Sequence, residues 1–314
     1  MSEVKNKTSF KGVLLLLLTA FIWGTSFLAQ RFGTDSGVEP FTFQGIRTLL
    51  GSVFLLPFIF VKDISASKKM TEEQKVQRKK TNRKTWIYGT IIGIALCLAT
   101  NFQQYAFLYE PSAGKIAFIT AMYMFFVPIA GLFFKKRLPI ITWLCVIIGF
   151  TGLYFLCVFE EGFGSINFGD ILAFACAIFF CVQILLVEKF APECDGVKLS
   201  CIQFFVAGGI SLILMFIFDS PKLPALKDAL IPILYSGIMS CGVAYTLQIV
   251  GQKYCEATIA SLLMCMESVF AVLSEAVVIP STKLSVWEIS GCVIMFVAIL
   301  ISQFSDIIKA RKSK

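Results

Sequence analysis

The sequence predicts an all-α integral membrane protein of ten transmembrane helices, arranged as two inverted five-helix repeats. Of its 314 residues 57% are hydrophobic and only 15% charged, whereas a soluble domain carries about a quarter charged residues. The apolar residues gather into ten segments, each near the roughly 20 residues that cross the hydrocarbon core. The basic residues concentrate in alternate gaps between those segments, as the positive-inside rule requires.

The first segment, Gly12–Gln30, follows the basic stretch MSEVKNKTSFKG and so mimics a signal peptide. Its apolar run continues through Ala29 without a small-residue cleavage site, which makes it an uncleaved first span. The remaining segments are Pro40–Val61, Thr85–Phe107, Ser112–Phe134, Pro139–Phe159, Gly169–Val187, Val197–Phe218, Ala229–Val250, Ala257–Ile279 and Val286–Phe304. Helices are the form expected, because backbone groups in lipid must bond within their own segment and the alternation of a membrane β-barrel is absent.

A cytoplasmic N-terminus puts Lys5, Lys7, Lys11, the run Lys62 to Lys84, Lys135-Lys136-Arg137 and the tail residues Lys309, Arg311, Lys312 and Lys314 inside. Only Arg31, Lys222, Lys227 and Lys283 fall in outside loops, together with the acidic EEGFGSINFGD. Both termini are therefore expected in the cytoplasm. The long Lys62–Lys84 loop reads as a solvated topology anchor, and its clustered bases also suit contact with anionic membrane lipid.

Spans one and six align without gaps at a shift of 157 residues, matching Gly12 with Gly169, Leu15 with Leu172, Ala20 with Ala177 and Leu28 with Leu185. The span count says more. Ten divides into five plus five, and an odd-numbered unit repeated in tandem must enter the membrane in opposite orientations, a common design of secondary transporters.

Composition and motifs exclude several function classes. The net charge of +8 lies in the loops rather than on a nucleic-acid-binding face. There is no histidine, which removes histidine proton relays, Ser-His-Asp hydrolysis and histidine metal ligands together. The eleven cysteines form no C-x-x-C and read as packing residues, so no metal or other cofactor is expected. No Walker A, H-E-x-x-H or G-x-S-x-G sequence occurs, which argues against an ATP-driven pump and against an enzyme. An enzyme acting on lipid-linked substrates would need clustered carboxylates or histidines at an interface. A receptor would need a folded cytoplasmic module.

Several stretches resemble a known family. WGTSFLAQ in the first span, PFTFQGIR in the second, PSAGKIAFITAMYMFFVPIAGL in the fourth and ATIASLLMCMESVFAVLSE in the ninth resemble the EamA-type transporters of the drug/metabolite transporter superfamily. The resemblance covers two units, at about 12–159 and 169–304. It implies a ten-helix inverted-repeat fold and export of metabolites, amino acids or drug-like molecules across a bacterial inner membrane. Import by the same fold is the alternative, since the sequence carries no direction. Two departures stand out: Ser268 replaces a proline frequent after the ninth-span glutamate, and Glu275 stands where a small residue is common.

Charged side chains inside a membrane usually face the bundle interior, a cavity or a partner. Arg47, Lys115, Glu267 and Glu275 qualify, and they are expected to line or seal one central cavity for a small-molecule substrate and to pair across helices. Helix packing, or snorkelling of Lys115, is the structural alternative. Desolvation disfavours an ionised carboxylate, which makes Glu267 and Glu275 candidate carriers of a coupling proton. Asn101 and Gln104, three residues apart on one face, Trp23 in span one and Gln248 in span eight complete the expected lining. GTIIG at Gly89–Gly93 is a G-x-x-x-G match suited to close packing within a monomer rather than to dimerisation, and monomer and homodimer both stay open.

Overall fold

The structure, a computed structural model, describes residues 9–67, 70–110, 113–133, 139–159, 166–279 and 284–312. For Cys157 and 303–312 only the backbone is described. Several of the basic and acidic residues used to assign orientation, including Lys135-Lys136-Arg137, lie outside these residues.

The described chain is helical throughout. In order come α1 (Phe10–Asp35), α2 (Pro40–Ser67), α3 (Glu72–Tyr109), α4 (Ala113–Ala121), α5 (Tyr123–Phe133), α6 (Ile140–Cys157) and α7 (Phe168–Phe190). They are followed by α8 (Gly196–Phe218), α9 (Leu223–Asp228), α10 (Leu230–Tyr235), a π-helical stretch over Ser236–Tyr245, α11 (Thr246–Gln252), α12 (Ala257–Met264), α13 (Glu267–Val278) and α14 (Val286–Lys312). Eight helical stretches are long and apolar enough to cross a membrane. Two shorter apolar stretches, Ile140–Leu156 and Val286–Ser302, sit at the lower end of the spanning range.

The molecule is built inside out relative to a soluble protein. On α1 the exposed side chains Phe10, Leu14, Leu18 and Phe21 recur every three or four residues, so they form one apolar outer stripe. The inner face of the same helix carries Trp23, Ser26, Phe27 and Gln30, all buried. Elsewhere the interior holds Gln44, Arg47, Gln103, Gln183, Gln203, Gln248 and Glu267. Apolar outside and polar inside is the arrangement that hydrocarbon selects.

Four segments depart from the sequence reading. The Lys62–Lys84 segment is largely helical where a loop is expected: α2 continues to Ser67 and α3 begins at Glu72. Thr71 opens α3 with a capping box, its hydroxyl accepting from the Gln74 N–H while the Gln74 side chain accepts from the Thr71 N–H. Glu72 and Glu73 lie at the positive end of the helix dipole, and Lys75 pairs with Glu72 at 2.7 Å. At 38 residues α3 is about 57 Å long, so its charged first third projects beyond the hydrocarbon.

Spans four and nine are each interrupted near the middle. The fourth breaks at Met122, whose carbonyl accepts from the N–H groups of both Phe125 and Phe126. Pro128, further along α5, supplies no N–H to the carbonyl a turn above it. The ninth breaks at Cys265–Met266 without a proline. There the Cys265 thiol donates to the Leu262 carbonyl at 2.9 Å, and the N–H groups of Met266 and Ser268 bond three residues back. The eighth is interrupted by the π-helical stretch.

At α8, Asp195 caps the helix by accepting from the N–H groups of Val197 and Lys198. Burial alone would raise this carboxyl, but Lys62 and those two N–H groups outweigh it and hold it below its ordinary value.

Close helix crossings depend on glycine. A Cβ on Gly24 of α1 would stand 2.5 Å from the Phe270 Cβ and 2.6 Å from the Glu267 carbonyl of α13. Gly24→Ala is expected to cost about 1–3 kcal/mol through overpacking. Gly209→Ala, where the added methyl meets nothing within 4 Å, serves as the neutral control. Thermal unfolding of the purified variants in detergent checks both.

Candidate substrate cavity

A central cavity opens where the helix interruptions meet. Its walls come from α1 (Trp23, Ser26, Phe27, Gln30), α2 (Arg47) and α3 (Gln103). The first residue of α5 (Tyr123), α7 (Phe180, Ile184), the π-helical stretch (Ser240, Tyr245), α11 (Gln248) and the first residue of α13 (Glu267) complete them. A π-helical insertion re-aims the side chains around it and recurs at functional sites; here it brings Ser240 and Tyr245 to the lining. The cavity is small, about 20 Å³, room for about one water molecule.

An arginine and a glutamate face it. Glu267, 3% exposed, accepts a hydrogen bond from the Tyr123 hydroxyl at 3.0 Å. Both residues open the helix that follows a break, and Ser268 ties the breaks further by donating to the Ala117 carbonyl at 3.3 Å. Arg47, 2% exposed, is oriented by Gln44: its Nε donates to Gln44 Oε1 at 2.7 Å, while Gln44 Nε2 donates to the Thr100 carbonyl at 2.6 Å. The guanidinium also stands 5.6 Å from the Phe43 ring centre, within cation–π range.

Several polar atoms of the lining have no hydrogen-bond partner among the described residues: Arg47 Nη1, Trp23 Nε1, Ser26 Oγ and Gln30 Oε1. Buried polar groups are nearly always satisfied, so four orphans around one small space mark a place for a polar guest. Two are pure donors, one of them cationic, which suits an anionic or strongly accepting group. Aromatic side chains form the rest of the wall, with Trp23 and Tyr245 ring centres 4.5 Å apart. By contrast Gln248 is self-contained, exchanging two amide hydrogen bonds with Gln183 at 3.0 and 3.3 Å.

Of the eight residues singled out in the sequence, Trp23, Arg47, Gln248 and Glu267 line this cavity. The other four stand elsewhere, so the expectation of one cavity sealed by all four charges is corrected. Lys115, opening α4, bonds to Glu110 and Asp170 at 2.9 Å each. Glu275 pairs with Arg31 at 2.7 Å. Both pairings lie at helix ends. Asn101 donates to Ser211 Oγ of α8 and, within α3, to the Cys97 carbonyl, at 2.8 Å each, and Gln104 donates to Thr34 Oγ1 of α1 at 2.9 Å; the bonds to Ser211 and Thr34 are interhelical ties.

The sequence reading missed Ser26, Gln30, Tyr123, Ser240 and Tyr245. Gln103 was visible beside Gln104, and helical phase separates the two: a one-residue step turns the side chain by about 100°. Tyr123 was hidden in the apolar run MYMFF, where only its hydroxyl distinguishes it from core. Among the described residues no group of three or more His, Cys, Asp or Glu could hold a metal ion.

The family model described as "EamA-like transporter family" matches residues 10–158 and again 167–304. A protein of Archaeoglobus fulgidus described as an uncharacterized transporter is 27% identical over 311 residues, covering 96% of this chain and 91% of that protein. One of Clostridium kluyveri with the same description is 24% identical over 304 residues, covering 94% of each. A solved crystal structure superposes with a TM-score of 0.74 at 17% identity, over 94% of this chain and 97% of that one. That likeness concerns the fold alone.

Arg47→Met is expected to leave Gln44 Oε1 without its donor and to lower stability by about 1–3 kcal/mol. Adding Gln44→Leu is expected to recover part of the loss, because both partners are then apolar, without restoring transport. Unfolding curves measure the first effect and proteoliposome flux the second; recovery of flux in the double variant would make Arg47 a packing residue only.

Proposed function

The chain belongs to the EamA-like transporter family, and from that premise we propose a secondary active exporter of small metabolites, amino acids or drug-like molecules, working by alternating access. The observation that carries this reading is the central cavity. It sets a buried guanidinium and a buried carboxylate beside unpartnered polar atoms, deep within a bundle whose outer surface is apolar. Lipid tolerates such groups only where they face a wet or ligand-filled interior.

The proposed architecture counts α6 and α14 as spans beside the eight longer stretches, giving ten crossings in two five-helix units at 12–159 and 169–304. An odd unit repeated in tandem is inverted in the membrane. Support comes from the paired interruptions: α4/α5 in one unit and α12/α13 in the other break near the middle and present Tyr123 and Glu267 to each other at 3.0 Å. Both termini lie on the cytoplasmic side of a bacterial inner membrane in this reading.

Each lining group then has a role. Arg47 offers its free Nη1 to an anionic or accepting group of the substrate. Trp23, Tyr245 and Phe180 cover the apolar body, as aromatic walls with a few placed polar atoms do in small-molecule sites. Glu267 exchanges the coupling proton with the cavity, with Tyr123 holding its carboxyl in place. Because the closed cavity admits about one water, a substrate enters only when the two units rock apart on one side.

The test begins with the solutes of culture medium from cells with and without overexpression. Flux of the solute that changes is then measured in proteoliposomes with and without a pH gradient. Glu267→Gln is expected to abolish acceleration by the gradient while downhill flux persists. Gradient-driven transport unaltered by that change would remove Glu267 as proton carrier, and failure of any solute to move in the purified system would defeat the transporter reading for this chain.

A further inference from the structure

A second recess, about 240 Å³, lies between α2, α3 and α8 near the ends where α2 stops and α8 begins. It is larger than the central cavity and shares no lining residue with it. Its apolar lining comes from Leu56 and Ile59 of α2, Trp86 of α3 and Ile202 of α8, with the buried Thr85 and Cys201 beside them. Its mouth is polar, with Asp63, Asn82 and Lys198.

The depth of the mouth is readable from side chains around it. On α2 the exposed run Phe58, Phe60, Val61 gives way to Lys62. On α3 the exposed Arg83 and Lys84 give way to Trp86, Ile87 and Ile91. Both helices thus change from basic to apolar at one level, and Trp86 stands at that change, as tryptophans do at the membrane–water interface. The recess therefore straddles the boundary, its greasy end in the acyl region and its polar end among the headgroups.

Cations outnumber anions around the mouth when Arg78, which stands beside the recess, is counted with the lining residues Lys198 and Asp63. Lys198 bonds to Asp63 at 2.8 Å and Arg78 reaches the same carboxylate at 2.6 Å, so two cations share one anion. Lys198 donates further to Asn82 Oδ1 at 3.2 Å. Lys79, Lys80 and Arg83, on the same projecting turns of α3, make no ion pair among the described residues. Clustered bases at this level attract anionic headgroups.

We infer that this recess is a binding site for one anionic phospholipid, an acyl chain lying against Leu56, Ile59 and Trp86 and the headgroup phosphate between Lys198 and Arg78. The match is one of shape and charge together: an amphiphile of one polar and one apolar end fits a recess with the same division at the same depth. A free anion would occupy only the mouth and leave the apolar part unfilled. The occupant would touch α2, the helix that carries Arg47 into the central cavity, and so would bias the position of that helix.

The test is native mass spectrometry of the full chain in detergent, titrated with phosphatidylglycerol or with phosphatidylcholine of the same acyl chains. One phosphatidylglycerol is expected to be retained, with about tenfold preference over phosphatidylcholine. Lys198→Gln with Arg78→Gln is expected to erase the preference. Leu56→Trp, which fills the apolar end from a half-exposed position and leaves every base intact, is expected to lose the lipid. Equal retention of the two lipids by the unaltered chain would overturn the inference, as would displacement of phosphatidylglycerol by inorganic phosphate alone. Those two measurements decide the matter even where a variant does not fold.

Discussion

Hydrocarbon offers no hydrogen bonds, and the arrangement of this chain follows from that single constraint. Any polar side chain within the membrane must find its partner inside the protein or in a cavity. Many do so. Gln183 and Gln248 satisfy each other, while Asn101 ties α3 to Ser211 of α8 and Gln104 ties α3 to Thr34 of α1 through their amide N–H groups, each leaving its amide oxygen without a partner among the described residues. Charged groups near helix ends follow the same rule, as in Lys115 with Glu110 and Asp170, and Arg31 with Glu275. Unpartnered atoms also occur elsewhere in the interior, on Gln203, Ser236 and Gln252 for example, so those of Arg47, Trp23, Ser26 and Gln30 are informative only because they surround one space. An isolated orphan would be a local defect. Four around one space, with a carboxylate in the same wall, make that space the candidate site.

Much of the fold was legible because membrane helices announce themselves by length and composition. Every predicted apolar segment overlaps a helix among the described residues, eight of them as stretches long and apolar enough to cross a membrane. What the pattern could not show was helix continuing past the membrane or failing within it. The Lys62–Lys84 segment read as loop because charge density signals water, yet water does not forbid helix. The Thr71 capping box and the glutamates of the first turn stabilise helix there, and they are visible only when local capping is weighed against hydropathy. The breaks at Met122 and Cys265–Met266 left weaker marks. Pro128 hinted at the first, while the second depends on a cysteine thiol bonding its own backbone.

The site was half legible for a related reason. Hydropathy finds polar residues in greasy surroundings, and so it found Arg47, Lys115, Glu267 and Glu275, but depth and partner decide their meaning. Lys115 and Glu275 sit close enough to helix ends to meet Glu110, Asp170 and Arg31, three residues at or just beyond the apolar segments. Arg47 and Glu267 lie too deep for such partners and face the middle of the bundle. Tyr123 escaped notice because its role depends on a contact 144 residues away in the chain, which no local pattern encodes.

Interruption and cavity are linked in one further way. An unbroken helix keeps its backbone groups occupied and its side chains in a fixed 3.6-residue order, whereas a break frees the turn that follows to point inward. Tyr123 and Glu267 are each the first residue after a break, and Ser240 and Tyr245 lie within the π-helical stretch. Four of the polar groups in the cavity wall thus come from the parts of the bundle whose backbone ladder is already irregular. Those parts have the fewest regular hydrogen bonds to lose when helices shift, and the ion pairs at the helix ends are individually weak where water reaches them. A cavity with room for about one water is therefore walled in part by the segments whose backbone hydrogen bonding is least regular.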